Sequence, residues 1–320
     1  MKKSKAKIDE YDSLFYGPVL SRRFGYSLGI DLVPFKICTY DCIYCQLGPT
    51  TFKTAKRSDY LNLGPEIFKR LLEERIENSN RIDYVTFSGS GEPTLNSRIK
   101  EYIDSAKHLS DIPVLLLTGG GLLSSKSVID DIKEADVIKV SLDAPNERLF
   151  KKINRPSKEI SFKKILKGLE NIGRYFKGQV WIEIMLLKGI NDSNETITEF
   201  AKVIDDYGGS FEKIHINTPT RYPGTRDLKI PDSGKLEELR KLLGSKASII
   251  KDIKIEKIKK ERSANEEEIL KLLKIRPSSV TGITSSLDLN RNEVAKLLDF
   301  LLKKKKIKVD IKDNRKLYYS

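Results

Sequence analysis

Cysteine, histidine, methionine and tryptophan are scarce: 3, 2, 2 and 1 in 320 residues. Three thiols cannot pair completely and nothing suggests export, so a disulfide framework is excluded and a reducing cytoplasm is expected. The two histidines, His108 and His215, lie far in sequence from every cysteine. His108 reads as a surface residue near a helix end, and His215 as a hydrogen-bonded core histidine. No apolar run approaches the roughly 20 residues that span a bilayer. The basic first seven residues lead into no apolar segment, so neither a membrane span nor a secretory signal is expected. Acid is also short: 45 Asp and Glu face 59 Lys and Arg, a net charge of +14. Such a surplus favours an anionic partner such as nucleic acid, and it also occurs in heat-adapted proteins without one. At 39% apolar and 32% charged residues, the chain has the composition of one large or two smaller soluble domains.

The few thiols are not scattered. Cys38, Cys42 and Cys45 fall within eight residues. Structural zinc wants four ligands, usually paired cysteines or a histidine, and inert buried thiols would not cluster. An iron–sulfur cluster remains. Its usual quota is four thiolates. Three leave one iron open to an external ligand.

Around this loop the chain alternates strand and helix. A strand is predicted over 28–33 and ends at Pro34, just before the cysteines; residues 11–27 read as irregular. Helices follow from Pro65, where apolar positions recur at helical spacing, and over 97–109, 125–134, 162–176, 193–207 and 233–243. Between them lie strands over 82–87, 113–117, 137–142, 179–187 and 213–217, with a closing strand over 249–258. Six strand–helix units imply an α/β fold with a parallel sheet covered by helices. Right-handed crossovers in sequence order give a partial (β/α)6 barrel, and a doubly wound sheet is the alternative. In either arrangement the loops after the strands share one edge, where such folds carry their chemistry.

After a linker over 257–264 the pattern changes. Helices over 265–273, 279–287 and from Asn290 to about residue 302 precede a hairpin turned at Asp313-Asn314. This order resembles a winged helix-turn-helix. The expected organisation is a catalytic domain over 1–256 and a winged-helix-like domain over 265–320. From 251 to 320 there are 19 Lys and Arg against 11 Asp and Glu, a net +8. This segment suits a nucleic-acid-binding arm, with Lys303 to Lys306 on phosphates, or a protein-docking module with a solvated lysine run.

The Cys-x3-Cys-x2-Cys spacing with Tyr44 before the last cysteine resembles the signature of the radical S-adenosylmethionine superfamily. That resemblance implies a 4Fe–4S cluster on Cys38, Cys42 and Cys45 whose open iron takes the amino and carboxylate groups of S-adenosylmethionine. An external electron donor would reduce it, and cleavage would yield a 5′-deoxyadenosyl radical that abstracts hydrogen from the substrate. Gly89-Ser90-Gly91-Glu92-Pro93 is similar to the family's Gly-Gly-Glu-Pro loop that receives the methionyl amino group, with Ser90 interrupting the glycine pair. The bland reading is an ordinary strand-to-helix turn. Ser141 and Asp143 resemble the polar pair near the ribose and methionyl groups; they equally suit a strand-end serine and a helix-capping aspartate. Tyr44 suits adenine contact or packing. Thr118-Gly119-Gly120 stands where many members carry Thr-Asn-Gly, and Ile182-Glu183-Ile184-Met185 shows no adenine motif. No catalytic residue is assigned.

Ser21-Arg22-Arg23-Phe24-Gly25 and the stretch through Lys36 resemble a prokaryotic branch related to wyosine-type tRNA-modifying enzymes. Members that build the tricyclic base often carry a second cluster, for which no cysteine is left here. The substrate is therefore open: tRNA, another macromolecule or a protein docked on the basic segment. Arg22, Arg23 and Arg221 suit an anionic substrate, or surface charge. A redox-sensing DNA-binding regulator is the alternative from another class.

Overall fold

The computed structural model describes residues 11, 14–207, 211–219, 228–250, 265–287, 289, 291–312 and 315–320. Its centre is an eight-stranded sheet. Strand β1 (Phe15–Ser21) pairs antiparallel with β2 (Gly25–Ile30). The short β3 (Ile37–Cys38) and β4 (Phe52–Lys53) pair in parallel within the cysteine loop. Helix α1 (Pro65–Glu77) is followed by β5 (Tyr84–Phe87), α2 (Ile99–Leu109), β6 (Val114–Thr118), α3 (Lys126–Ile132), β7 (Val137–Ser141), α4 (Glu147–Asn154) and α5 (Phe162–Tyr175). Then come β8 (Gln179–Met185), α6 (Asn194–Tyr207), β9 (Phe211–Asn217), α7 (Ser233–Leu242) and β10 (Ala247–Ile249).

The order across the sheet is β1-β2-β5-β6-β7-β8-β9-β10, and every pairing from β2 onward is parallel. The strands stand side by side in chain order. A doubly wound sheet reverses its order at a switch point; this one does not, so the winding is that of an open barrel. Burial matches: in β7 only Ser141 escapes full burial, as expected where both faces are covered. On the helix side Leu28, Ile30, Phe87 and Val140 share the main core with Phe68 of α1 and Leu169 of α5. The inner side holds a smaller cluster of Phe24, Leu115, Val137 and Trp181.

Besides the short β3 and β4, which were not anticipated, two larger elements depart from expectation. Residues 15–21 form an edge strand, not an irregular lead-in. Gly17-Pro18 suggests a turn, but an edge strand tolerates proline, and the register slips between Tyr16 and Val19 to accommodate it. Helix α4 was not anticipated. The Asn146 side chain caps it by accepting from Leu149 N at 3.0 Å. The closing strand is Ala247–Ile249; the expected 251–258 part of it and the 257–264 linker lie outside the described residues.

Beyond the sheet come α8 (Glu266–Ile275), α9 (Val280–Leu287), α10 (Arg291–Lys303) and the antiparallel pair β11 (Lys308–Lys312) and β12 (Arg315–Tyr319). Three helices and a hairpin match the expected order; the cap Asn290 and the turn at 313–314 lie outside the described residues. Ile269, Leu272, Ile283, Leu298 and Leu301 build a small core of their own, which also takes in Val19 of β1. The C-terminal helices are therefore packed on the antiparallel edge of the sheet. Among the described residues, no helix is long and apolar enough to cross a membrane.

Candidate cluster and cofactor site

The three cysteines follow β2 directly, at the carboxyl end of the parallel strands. Their loop is held from two sides. Toward β5, Lys36 N donates to Ser90 O (2.9 Å) and Glu92 N to Ile37 O (3.1 Å). Gly91 is required by this contact, because a methyl there would overlap the Ile37 carbonyl oxygen. Toward α4, Asp41 N donates to Asn154 O (3.0 Å) and Ile43 N to Ile153 O (2.9 Å). The last turn of a helix leaves carbonyls unpaired; here the cysteine loop supplies their donors.

All three thiols are free and half-buried. They lie close enough to act on one another. Burial lifts Cys38 to about 12, with Glu92 and Cys45 adding to it. Burial also lifts Cys42 well above the usual thiol range, followed by Asp143, Cys38 and Cys45. Lys36, buried at 3% exposure, sends Nζ to within 3.1 Å of Cys45 Sγ. Asn154 Nδ2 lies 3.5 Å from Cys42 Sγ, while its Oδ1 is buried without a partner. Among the described residues no three His, Cys, Asp or Glu side chains converge on a single point suited to one metal ion. A cluster makes a different demand, since each thiolate takes its own iron. Three mutually interacting thiols and a buried lysine aimed at one of them fit an anionic cluster.

The Gly89–Pro93 loop lies where expected, directly against the cysteine loop. Its polar side chains point elsewhere. Ser90 donates from N (2.9 Å) and Oγ (2.5 Å) to Asp31 Oδ2. Glu92, 2% exposed, accepts from Thr94 N (3.1 Å), Thr94 Oγ1 (2.6 Å), Thr118 Oγ1 (2.8 Å) and Gly119 N (2.8 Å). Its carboxylate ties the loops after β5 and β6 together. Pro93 opens a single 3-10 turn beneath the loop. Tyr40, beside it, gives its hydroxyl to Gly119 O at 2.9 Å.

Tyr44 and Asp143 meet: the Tyr44 hydroxyl donates to Asp143 Oδ2. Asp143 also accepts from Asn154 Nδ2 (2.7 Å) and Met185 N (3.0 Å). Burial raises both groups above their usual ranges. Ser141 ends β7, and its hydroxyl has no protein partner among the described residues. The expected helix-capping reading of Asp143 does not hold, since Asn146 caps α4. Lys36, Asn154, Asp31 and Tyr40 were missed. Lys36 precedes the motif closely enough to be noticed, whereas Asn154 reaches Cys42 only through the fold.

His108 is exposed, as expected. His215 is buried beside Trp181, with ring centroids 5.6 Å apart. Its Nδ1 has no hydrogen-bond partner, which corrects the expectation of a bonded core histidine; burial, then Arg23, lowers it to about 4. Arg22 and Arg23 occupy the turn before β2, at the end of the sheet opposite the cysteines. Their side chains nevertheless reach inward, Arg22 to Asn217 Oδ1 (3.2 Å) and Arg23 to Glu183. Arg221 lies outside the described residues.

Residues 32–201 match the model of the radical SAM superfamily. A protein named GTPase Obg from Brachyspira hyodysenteriae is 36% identical over 92% of this chain; the chain spans only 43% of that relative. A UPF0026 protein of Methanocaldococcus jannaschii is 35% identical over 83% of this chain and 83% of its own. The ribosomal RNA large subunit methyltransferase N of Nitrosopumilus maritimus is 27% identical over 69% of this chain and 62% of its own. The solved structure of TYW1 with a lysine-pyruvate adduct bound superimposes with a TM-score of 0.52 at 22% identity, covering 73% of this chain and 76% of that one; it supports the fold alone. Members of the superfamily bind a 4Fe–4S cluster and S-adenosylmethionine. By its strand order, its cysteine loop and the match across more than half its length, the chain belongs to the radical SAM superfamily and is an enzyme of that kind.

Proposed function

We propose that Cys38, Cys42 and Cys45 hold one 4Fe–4S cluster and that S-adenosylmethionine lies between the Gly89–Pro93 loop, Ser141, Tyr44 and Asp143. The observation that carries this reading is the three-thiol loop locked against the Gly89–Pro93 loop with Lys36 buried beside Cys45. When bound, the two groups supply one-electron reductive cleavage of a sulfonium bond and hydrogen-atom abstraction. The chain's own residues supply placement. Lys36 offsets thiolate charge in a site of low dielectric. Gly91 lets the two loops touch, so the backbone after β5 would be at hand for a ligand of the cluster. The Glu92 brace fixes that backbone, and the Tyr44–Asp143–Asn154 chain orients the floor beneath it. Ser141 places a hydroxyl on the same edge.

An RNA substrate is the reading favoured for the whole enzyme, because a relative covering two thirds of this chain is named for ribosomal RNA methylation and the chain carries +14. Residues 265–320 would then serve as a winged-helix-like arm after a 257–264 linker, with the domain over 1–256 carrying the chemistry. An external reductant is required. The regulator alternative is not favoured, because it needs no Gly89–Pro93 loop beside the cysteines.

The test is anaerobic loading with iron and sulfide, reduction, and addition of S-adenosylmethionine. Release of 5′-deoxyadenosine is expected, with loss of both the visible cluster absorbance and turnover in Cys42→Ala. A parent protein that loads a cluster and releases no 5′-deoxyadenosine would count against the reading.

A further inference from the structure

A cavity of about 310 Å³ lies between the barrel and the C-terminal helices. Asp31 and Phe35, in the segment leading into the cysteines, form one wall, and Ser90 of the Gly89–Pro93 loop adjoins it. Lys274 and Ile275, the last two residues of α8, form the facing wall. Tyr11 and Tyr60 complete the lining. Hydrogen bonds tie these walls together. Gln46, the residue after Cys45, donates from Nε2 to Ile275 O at 3.2 Å. This satisfies one of the carbonyls that a helix leaves open at its carboxyl end. Asp31 holds Ser90 through two bonds to Oδ2, and its own N donates to Leu14 O at 2.9 Å. The cavity is therefore built jointly by the cysteine loop's flanks and the C-terminal segment.

Its lining narrows what can enter. Phe35 is 43% exposed, and Tyr11 and Tyr60 are half-buried. Three aromatic side chains thus keep surface that a flat ring can cover. An ionised carboxylate has about four acceptor positions, and Ser90 uses two of those on Asp31. Lys274, which is exposed, brings donors. A hydrocarbon side chain filling the cavity would leave both charged groups without partners, which is costly. A phosphate would meet the Asp31 carboxylate. A flat heterocycle with donors and acceptors along its edge satisfies the rings and the charges together. At about 310 Å³ the cavity lies at the small end of the ligand-pocket range of roughly 300–1,000 Å³, so it suits one ring system.

We propose that this cavity receives one unstacked nucleobase of the RNA substrate, with Phe35 and Tyr60 stacking on it and Asp31 accepting from its exocyclic amine. Single-stranded RNA is commonly read this way, by aromatic stacking and bonds to base edges. This deepens the proposed function and rests on its RNA reading. A base preference follows: adenine, cytosine and guanine carry an exocyclic amine, and uracil does not. The C-terminal segment gains a part in the substrate site itself, through Lys274 and the Gln46–Ile275 bond, apart from its exposed lysine run.

The test is anaerobic fluorescence anisotropy of the full, cluster-loaded chain at low ionic strength. The probes are a labelled oligouridylate and three versions with one central A, C or G. At least one of the three should bind about tenfold more tightly than the all-uridine probe. Phe35→Ala should abolish that preference while binding of the all-uridine probe persists, and Phe35→Tyr should keep it. Lys167→Ala, at an exposed ion pair with Glu170, should match the parent. If Phe35→Ala does not fold, as judged by thermal melting, Asp31→Asn carries the test and should also lose the preference. Equal affinity of the parent for all four probes overturns the proposal, as does a preference that survives Phe35→Ala or Asp31→Asn. Displacement of the probe by N-acetylphenylalaninamide and not by the free nucleosides assigns the cavity to a peptide side chain and also overturns it. Release of 5′-deoxyadenosine by the parent is measured alongside. Binding of every probe without preference removes this site alone, and binding of none removes the RNA reading with it. A preference without release removes the enzyme reading and leaves the site.

Discussion

Asp31 shows how one side chain can hold the Gly89–Pro93 loop in place. It follows β2, accepts twice from Ser90, and lines a cavity of about 310 Å³ with Phe35, Tyr60 and Lys274. Gly89, at φ 152°, must lack a side chain because a methyl would run into this carboxylate. Burial raises Asp31 from 3.8 to about 6, against the lowering effect of its bonds from Ser90. A carboxyl whose folded pKa exceeds its unfolded one favours the native state fully below about pH 4, and that contribution is lost as pH rises through 6. Asp31→Asn is therefore expected to gain about 3 kcal/mol at pH 8 relative to the parent and to flatten the change in urea midpoint between pH 4.5 and 8. An unchanged pH slope would show that Asp31 ionises normally. The neighbouring Glu92 is a buried carboxylate met by four donors, so removing it would leave Thr118 Oγ1 and Gly119 N without their acceptor.

Among the elements, α4 matters more to the site than its eight residues suggest. Its amino end is capped by Asn146, and its carboxyl end offers Ile153 O and Asn154 O to the cysteine loop. Cap and loop are therefore linked through one short helix. Asn146→Ala should cost about 1 kcal/mol in thermal or urea unfolding. It should also lower the iron bound per chain after anaerobic loading, because fraying of α4 frees Asp41 and Ile43. Full iron content at the lowered stability would mean that the loop holds its shape without α4. The edge strand β1 works differently. Its pairing with β2 takes up one side, and its residue Val19 enters the C-terminal core. That cover protects an edge which would otherwise be open to pairing.

At the scale of the whole molecule, charge and architecture bear on one question. The surplus of +14 predicts attraction to polyanions, with a strong salt dependence. Part of the C-terminal lysine run is already engaged: Lys303 pairs with Asp299 at 2.6 Å and Lys306 with Glu266 at 2.6 Å. Lys304 and Lys305 have no such ion pair among the described residues. RNA binding by the parent should weaken steeply between 50 and 200 mM salt, roughly tenfold or more. Lys304→Gln with Lys305→Gln should reduce the slope of log affinity against log salt by about 2. A slope unaffected by that double variant would place the contact elsewhere on the protein.

The three thiols at their spacing, the strand–helix rhythm and the Gly89–Pro93 loop were legible along the chain, because a local motif and the periodicity of burial are both properties of consecutive residues. Those features were enough for an α/β fold with the cysteine loop at the edge where the parallel strands end. Strand order was decided by the tertiary structure, since parallel pairing joins residues through long crossovers that leave no local mark. The same holds for Asn154 beside Cys42 and Glu92 beneath Gly119. Each depends on a contact between distant segments, and a sequence states which side chains exist without stating which of them are neighbours. Even β1 was concealed by Gly17-Pro18, because a proline disfavoured within a sheet is acceptable at its edge, and an edge exists only once the sheet has formed.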